Sequence, residues 1–394
     1  MARIICPLRV AALLLAASAG VAAAPFVPGS DQQVLETLPA RASDPRTREL
    51  SDLRRELARD PRDLDVAVKL ARRYYEESAA EGDPRYIGYA QAALAPWWSQ
   101  PDPPVQARVM RGILLQFGHR FDEALADLDA AVRQEPDNGE AWAWRAAISM
   151  VQANYPQARV ACERVAGLAS VLIGTACIAN VDAATGQAAA AAGAIRSALL
   201  KDSQATPIEQ LWALTRLAEI EERRGKYDLA EEAYRRALAL RIDDGYLLAA
   251  YSDFLLDRGR PAEVLTLLKD KARSDLHLLR LALAAKAINA PTLAGLKGDL
   301  AARFDAARLR GDSLHQKEEA RFALGLQGDA QRALGLAREN YKVQREPADA
   351  RVLLEAALAA RQPAAAEPAL KWMADSGIES AALKTLADKL KGGN

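Results

Sequence analysis

The sequence predicts an all-α chain, a solenoid of stacked helix-turn-helix repeats, and three observations carry that prediction. The first is a period of 34 residues: Phe121, Ala124, Leu128 and Ala131 return in type as Tyr155, Ala158, Cys162 and Val165, and Gly112 returns as Ala146. Small residues at fixed offsets let two helices approach closely while a ring fills the space beside them, which is how repeats cover their neighbours in a linear array. The second is composition. Hydrophobic residues make up 50% and aromatic residues only 6%, so the apolar content is mainly Ala, Leu and Val, a helical mix. The third is punctuation: Pro61, Pro84, Pro136, Pro207, Pro291 and Pro347 all fall between helical patterns, and no alternating stretch is long enough for a strand.

In chain order, residues 1–23 read as a signal peptide. Arg3 and Arg9 form the basic start, Val10 to Ala19 the apolar stretch, and Val21-Ala22-Ala23 the small-residue cleavage site. That stretch is short for a bilayer, which needs roughly 20 residues; an uncleaved anchor is the alternative reading. No later segment is apolar enough to span, and Cys6 lies too early for lipid attachment at the cleavage site. The expected chain is therefore exported, free of stable membrane insertion after cleavage, and by its Ala-rich bacterial leader periplasmic. Residues 24–45, with Pro25, Pro28, Gly29, Pro39 and Pro45, read as a flexible leader. Helical periodicity starts near Thr47, with Leu50, Leu53 and Leu57 on one face. Val66, Leu70, Tyr74, Tyr86, Ala90 and Leu94 outline a first unit whose turn, Ala79 to Pro84, is lengthened. Pro96 to Pro104 is either a decorated loop between units, the favoured reading, or a domain boundary.

From Val105 the pattern becomes specific, and the stretch to Asn138 resembles a tetratricopeptide repeat. Gly112, Phe121, Ala124, Ala131 and Pro136 stand at that family's small, ring, small, small and proline positions, and Trp142, Tyr155 and Ala158 continue the series. The match returns at Ala218, Gly225, Tyr227, Ala230, Tyr234 and Ala237, and Gly259 comes one more period after Gly225. The resemblance implies a right-handed α-α superhelical solenoid. Its repeats span 46–275, clearest at 105–138, 139–171, 211–244 and 245–275. A unit around Thr185-Gly186-Gln187 is out of register by one. Residues 276–375 are expected as degenerate helical repeats continuing the array, and 376–394 as a C-terminal helix and tail.

Sequence chemistry excludes more than it assigns. The 52 basic and 52 acidic residues cancel and are interspersed, so no single-sign field exists for nucleic acid or an anionic membrane. His119, His277 and His315 are far apart and lack metal-type partners, and His119 reads as a solvated turn residue. No phosphate-binding glycine loop or nucleophile elbow occurs. Glu379-Ser380 is similar to the acid-serine pair of lytic transglycosylases, but too little chain comes after it for that fold, and Glu379 reads as a solvated charge. The expectation is a non-enzyme with no cofactor and no metal.

Applied residue by residue, the resemblance implies that the first helix of each unit lines a concave groove. Met110, Ile113 and Gln116 then line it, with Trp144, Ala147, Asn180, Trp212, Arg216, Glu219, Tyr246 and Asp253. That surface reads as aromatic and poor in charge, suited to an apolar peptide. The family's carboxylate-binding clamp is matched only by Asn180 and Arg216. In the same register Cys162 and Cys177 flank the turn near Leu168 to Ser170, each about 10 Å from it at 1.5 Å per residue. A disulfide is the favoured reading; two buried free thiols are the alternative. The functional expectation is a periplasmic scaffold or assembly factor holding a protein or peptide partner. A polysaccharide- or peptidoglycan-binding subunit is the alternative.

Overall fold

The structure is a computed structural model that describes residues 45–81, 83–311 and 314–392. The expected signal peptide and nearly all of the expected leader lie outside the described residues. Contacts divide the chain between Arg48 and Glu49, and residues 49–394 make up the larger unit. Every regular element among the described residues is helical.

The first helices are α1 (Pro45–Arg59), α2 (Leu64–Glu81), α3 (Arg85–Ala93) and the single turn α4 (Ala95–Trp98). Antiparallel pairs come next: α5 (Val105–Phe117) with α6 (Phe121–Gln134), α7 (Gly139–Val151) with α8 (Tyr155–Leu168), and α9 (Val171–Ala184) with α10 (Ala188–Lys201). Then come α11 (Pro207–Arg223) with α12 (Tyr227–Ala239), and α13 (Gly245–Asp257) with α14 (Pro261–Leu267). The last are α15 (Asp275–Ala287) with α16 (Leu293–Leu309), α17 (Gln316–Phe322) with α18 (Ala330–Val343), α19 (Pro347–Ala359) with α20 (Glu367–Ser376), and α21 (Ala381–Gly392). The first helix of each pair packs on the first helix of a neighbour, as α5 does on α7, α9 on α11, α13 on α15 and α17 on α19. This is a solenoid of stacked hairpins, and residues 276–375 are built on the same plan.

One backbone device closes the hairpins. Between the two helices of each pair from α5/α6 to α19/α20 sits a residue of positive φ: His119, Ala153, Gly186, Gly225, Gly259, Asn289, Gly328 and Arg361. A left-handed residue ends a helix by turning its last carbonyls onto the next N–H groups, as where Arg120 N donates to Leu115 O and Lys226 N to Glu221 O. Starts are capped too. Thr206 and Glu209 form a reciprocal capping box on α11, and Asn138, Asn154, Ser170 and Asp244 cap α7, α8, α9 and α13.

The Pro96 to Pro104 stretch is packed into the array. Trp97 is buried, and Arg111 Nη1 donates to Trp98 O at 2.7 Å and Gln100 O at 2.9 Å. Trp142 holds the next turn, its Nε1 donating to Pro136 O at 2.8 Å with the Arg145 guanidinium 4.4 Å from its ring centre.

The array comes round far enough for its last hairpins to meet its middle ones. Arg345 N donates to Val151 O at 2.8 Å, and Trp372 Nε1 donates to the Tyr155 hydroxyl at 3.0 Å. Ala188 N, in the first turn of α10, donates to Glu379 Oε1 at 3.0 Å. Glu379 is exposed, as the sequence suggests, and is also a helix cap reaching back 191 residues. Gly186 is required beneath it: its φ is +83°, and a Cβ there would lie 3.1 Å from Gly377 O. A seam therefore joins the α7–α12 turns to the α18–α21 segment.

Candidate functional site

Two groups of side chains face inward from the first helices of the pairs. In one, the Tyr75 ring of α2 stands edge-on to Trp144 of α7 at 5.8 Å and to Phe117 at 6.3 Å. Arg72 of α2 and Glu140 of α7 pair beside it, with one hydrogen bond of 2.7 Å. Burial pushes the Tyr75 hydroxyl up to about 12, against a hydrogen bond with Gln116. Trp144 is half-buried.

The second group lies on α11 and α13. Trp212, Arg216, Glu219 and Arg223 recur at helical spacing along one stripe of α11. The Arg216 guanidinium sits 4.6 Å above the Tyr246 ring of α13 and 3.1 Å from Glu219, and Glu219 accepts the Tyr246 hydroxyl proton in a short hydrogen bond. Tyr246 is nevertheless 48% exposed, so its ring lines an open hollow. Its hydroxyl is pushed well up by burial and by Glu219, against the pull of Arg216. Trp212 is half-buried and packs against two core clusters, filling space between hairpins. Asn180 of α9 is half-buried.

The structure corrects part of the expected groove. Met110 and Ile113 are 0% and 1% exposed and belong to the core, because α5 is surrounded by α2, α3, α4, α6 and α7. They offer no surface to a partner. The inner face is also more charged than the sequence implies. Asp253 of α13 accepts from Arg321 of α17 at 2.7 and 3.0 Å and from Arg280 of α15. Burial would raise this carboxyl, but the two guanidiniums outweigh it and hold it well below the usual range. Lys317 of α17 lies 3.5 Å from Asp349 of α19; burial works against its charge, and the Asp349 and Glu318 carboxylates still keep it above the usual lysine range. Glu346, which caps α19, is pushed up by burial and by Asp349. Sequence reasoning missed Tyr75, Arg223, Lys317 and Glu346. Arg223 stands seven residues after Arg216, so the stripe rule that chose Arg216 and Glu219 also selects it.

His119 is half-buried. Its ring stacks on Phe121 at 5.5 Å, and burial lowers its pKa. It borders a cleft of about 710 Å³ with Arg120, Asp122, Gln152, Lys342 and Arg345. His277 is buried, with Nε2 3.0 Å from Gly245 O. Cys162 and Cys177 form a disulfide with Cα atoms 5.3 Å apart, so the free-thiol alternative falls. No three His, Cys, Asp or Glu side chains gather as metal ligands among the described residues.

Fold and inner face together define the class: an all-α solenoid of repeated hairpins whose first helices share a polar, aromatic interior. No protein-family model matches the chain, and no curated protein matches it. Among solved structures it is similar to a human IFIT1 dimer with m7Gppp-AAAA, at 15% identity over 87% of this chain and 86% of that one, with a TM-score of 0.44. It is similar also to the P58(IPK) TPR domain, at 14% identity over 89% and 94% with a TM-score of 0.23. Yeast Tom70 is a third, at 13% identity over 88% and 58% with a TM-score of 0.28.

Proposed function

We propose that this chain is a non-catalytic scaffold that holds a segment of a protein partner against the inner face of α7, α9, α11 and α13, in the periplasm. The observation that carries the reading is the open Tyr246 ring, 48% exposed inside the array and held in place by Arg216 and Glu219. A rigid aromatic fixed by neighbours gives much contact area at little entropy cost, which suits recognition. Trp144, Asn180, Trp212 and Arg216 extend the surface along adjacent helices. The Cys162–Cys177 disulfide supports the location, since such bonds persist in oxidising compartments.

The test is photo-crosslinking in cells, with a benzophenone side chain in place of Trp144, Asn180 or Tyr246 and, as control, of the outward Arg236. A protein adduct at the three inner positions and none at Arg236 is expected. Equal labelling at all four overturns the reading. So does inner-face labelling that recovers only polysaccharide, which would make the chain a polymer-binding subunit.

A further inference from the structure

The returning segment α17–α21 has two unlike edges. Its root is apolar: the rings of Phe304 on α16 and Phe322 on α17 stand 5.4 Å apart, in a cluster that also holds Leu278, Leu279 and Leu300. Beyond the root the segment has a core of its own, running from Ala320 to Leu390. Among the described residues, Ala153 alone joins that core from the α7–α12 hairpins. The other edge, the seam, is polar. Its hydrogen bonds are Arg345 N to Val151 O at 2.8 Å, Trp372 Nε1 to the Tyr155 hydroxyl at 3.0 Å and Ala188 N to Glu379 Oε1 at 3.0 Å. It is also incompletely filled, because the cleft of about 710 Å³ lies between His119 and Gln152 on one side and Lys342 and Arg345 on the other. The first hairpin meets the array differently. Tyr75 of α2 and Trp144 of α7 pack on one apolar cluster that extends through α5 and α6.

Separating apolar surfaces costs free energy in proportion to the area exposed, whereas hydrogen bonds across a wet seam are exchanged for bonds to water at little net cost. Openings that break few buried apolar contacts are the low-energy fluctuations of a fold. The α18–α21 segment therefore lifts from the α7–α12 turns more readily than a hairpin leaves its neighbour. The segment also borders the inner face. Arg351 of α19 donates to Asp257 of α13 at 2.8 Å; this pair is 35% and 34% exposed, so water screens it. At its other side, Trp372 reaches the start of α8, Gly377 lies against Gly186, and Ala381 lies against Gly225. The segment thus spans from α13 to the turn ends of α7, α9 and α11, the helices of the proposed partner surface.

We propose that α18–α21 is a strap, which lifts from the α7–α12 turns to admit a partner's segment to the inner face and closes to retain it. This rests on the inner-face reading above and adds how that surface is reached. The partner's segment is laid in from the side, so it is an internal stretch of chain with no need of a free end.

The test locks the strap. A Cβ on Gly225 would lie 3.8 Å from the Ala381 Cβ, within the roughly 3.5–4.5 Å that a disulfide spans. Gly225→Cys with Ala381→Cys, oxidised and with its bridges mapped by mass, is compared with Gly225→Ser with Ala381→Ser, which carries the same backbone strain without a bond. Hydrogen exchange on the purified full chain follows Ala188 and Arg345, whose amides donate across the seam. In the serine pair both should exchange well ahead of the core amides of α11 and α19, and the lock should slow them by roughly tenfold or more. Photo-crosslinking in cells from a benzophenone at Tyr246 should give a protein adduct in the serine pair and roughly tenfold less in the locked chain. Equal adduct in the two overturns the strap and leaves the scaffold standing. Seam amides that exchange no faster than the core amides also overturn it, since the seam then opens only when the chain unfolds. Adducts missing from both backgrounds sink the inner-face reading instead, and the exchange comparison then decides whether the segment lifts. If the locked chain does not fold, Glu379→Ala gives the converse. Losing that one seam bond should speed exchange at Arg345, elsewhere on the seam, and unchanged exchange there overturns the proposal.

Discussion

The joint between α8 and α9 and the joints among α11, α12 and α13 share one plan but are held together by different means. Around α8 and α9 the core is small: Ala146, Ala158, Ala161, Cys162, Val165, Cys177 and Val181. The helices there nearly touch. A Cβ on Gly174 of α9 would lie 2.6 Å from the Cα of Ala166 on α8, so backbone meets backbone and the disulfide staples the contact. Around α11 to α13 the core is large, and the rings of Tyr234, Tyr251 and Phe254 gather within 5.3 to 6.0 Å of one another. Close approach removes the space that large side chains would fill, so apolar burial per residue is low and a covalent link makes up for it. In a linear array each unit answers mainly to its neighbours, and weak and strong joints can coexist in one chain.

The sharpest way to break this contrast is to empty the ring cluster. Tyr234 is 1% exposed, and Tyr234→Ala should cost about 3–5 kcal/mol, the range for deleting a large buried ring. Hydrogen exchange should then rise across α11 to α14 together. Replacing both Cys162 and Cys177 with Ala should cost about 3 kcal/mol, the loop-entropy value for a 15-residue link. Here the rise in exchange should be confined to α7, α8 and α9. If both variants loosen the same peptides, the two regions are not separate joints.

A third prediction separates the regions by pH. Glu222 of α11 accepts a hydrogen bond from Tyr234 at 2.9 Å, and burial raises its carboxyl to about 7, with Asp257, Glu219 and Asp253 adding to the rise. A carboxyl raised on folding binds more protons in the native than in the unfolded chain. Stability from this group is therefore full below the unfolded value and falls as pH climbs to about 7. Glu222→Gln keeps the acceptor and removes the ionisation. It should stabilise by about 1–3 kcal/mol at pH 8 and leave stability at pH 4 nearly unchanged. Urea midpoints at the two pH values decide it, and an equal effect at both would show that folding leaves the ionisation of Glu222 unchanged.

How much of this was legible depends on what each feature needs from the sequence. The hairpin plan was legible where small and ring residues mark close contacts, as at Gly112, Phe121, Tyr234 and Ala237. It faded after residue 275 because few rings stand at the family's positions there. The left-handed turn residue gives no constant signal, being glycine at Gly225, Gly259 and Gly328 but His119, Ala153, Asn289 and Arg361 elsewhere. The disulfide came from register together with the oxidising compartment that the expected export implies. Met110 and Ile113 were misplaced because groove offsets assume an uncovered first helix, and α5 is covered by α2, α3 and α4. The seam was invisible, since no local pattern records that Glu379 will meet Ala188.

That seam supplies the smallest prediction and the one that sharpens the contrast most. The last turn of the array touches both regions: Trp372 reaches Tyr155 of α8, Glu379 caps α10, and a Cβ on Gly225 would lie 3.8 Å from Ala381. An acceptor at a helix start satisfies an N–H that has no partner within the helix and lies at the positive end of its dipole. Glu379→Ala should therefore cost about 1 kcal/mol, the usual value of a lost cap. The distribution of that loss is the informative part. If the stapled region leans on the returning turn for support, exchange should rise in the first turn of α10 and in α20, while α11 and α12, with their larger core, stay protected. A rise spread evenly over α10 to α12 would mean that the seam braces strong and weak joints alike, and that core size alone does not decide which part of the array opens first.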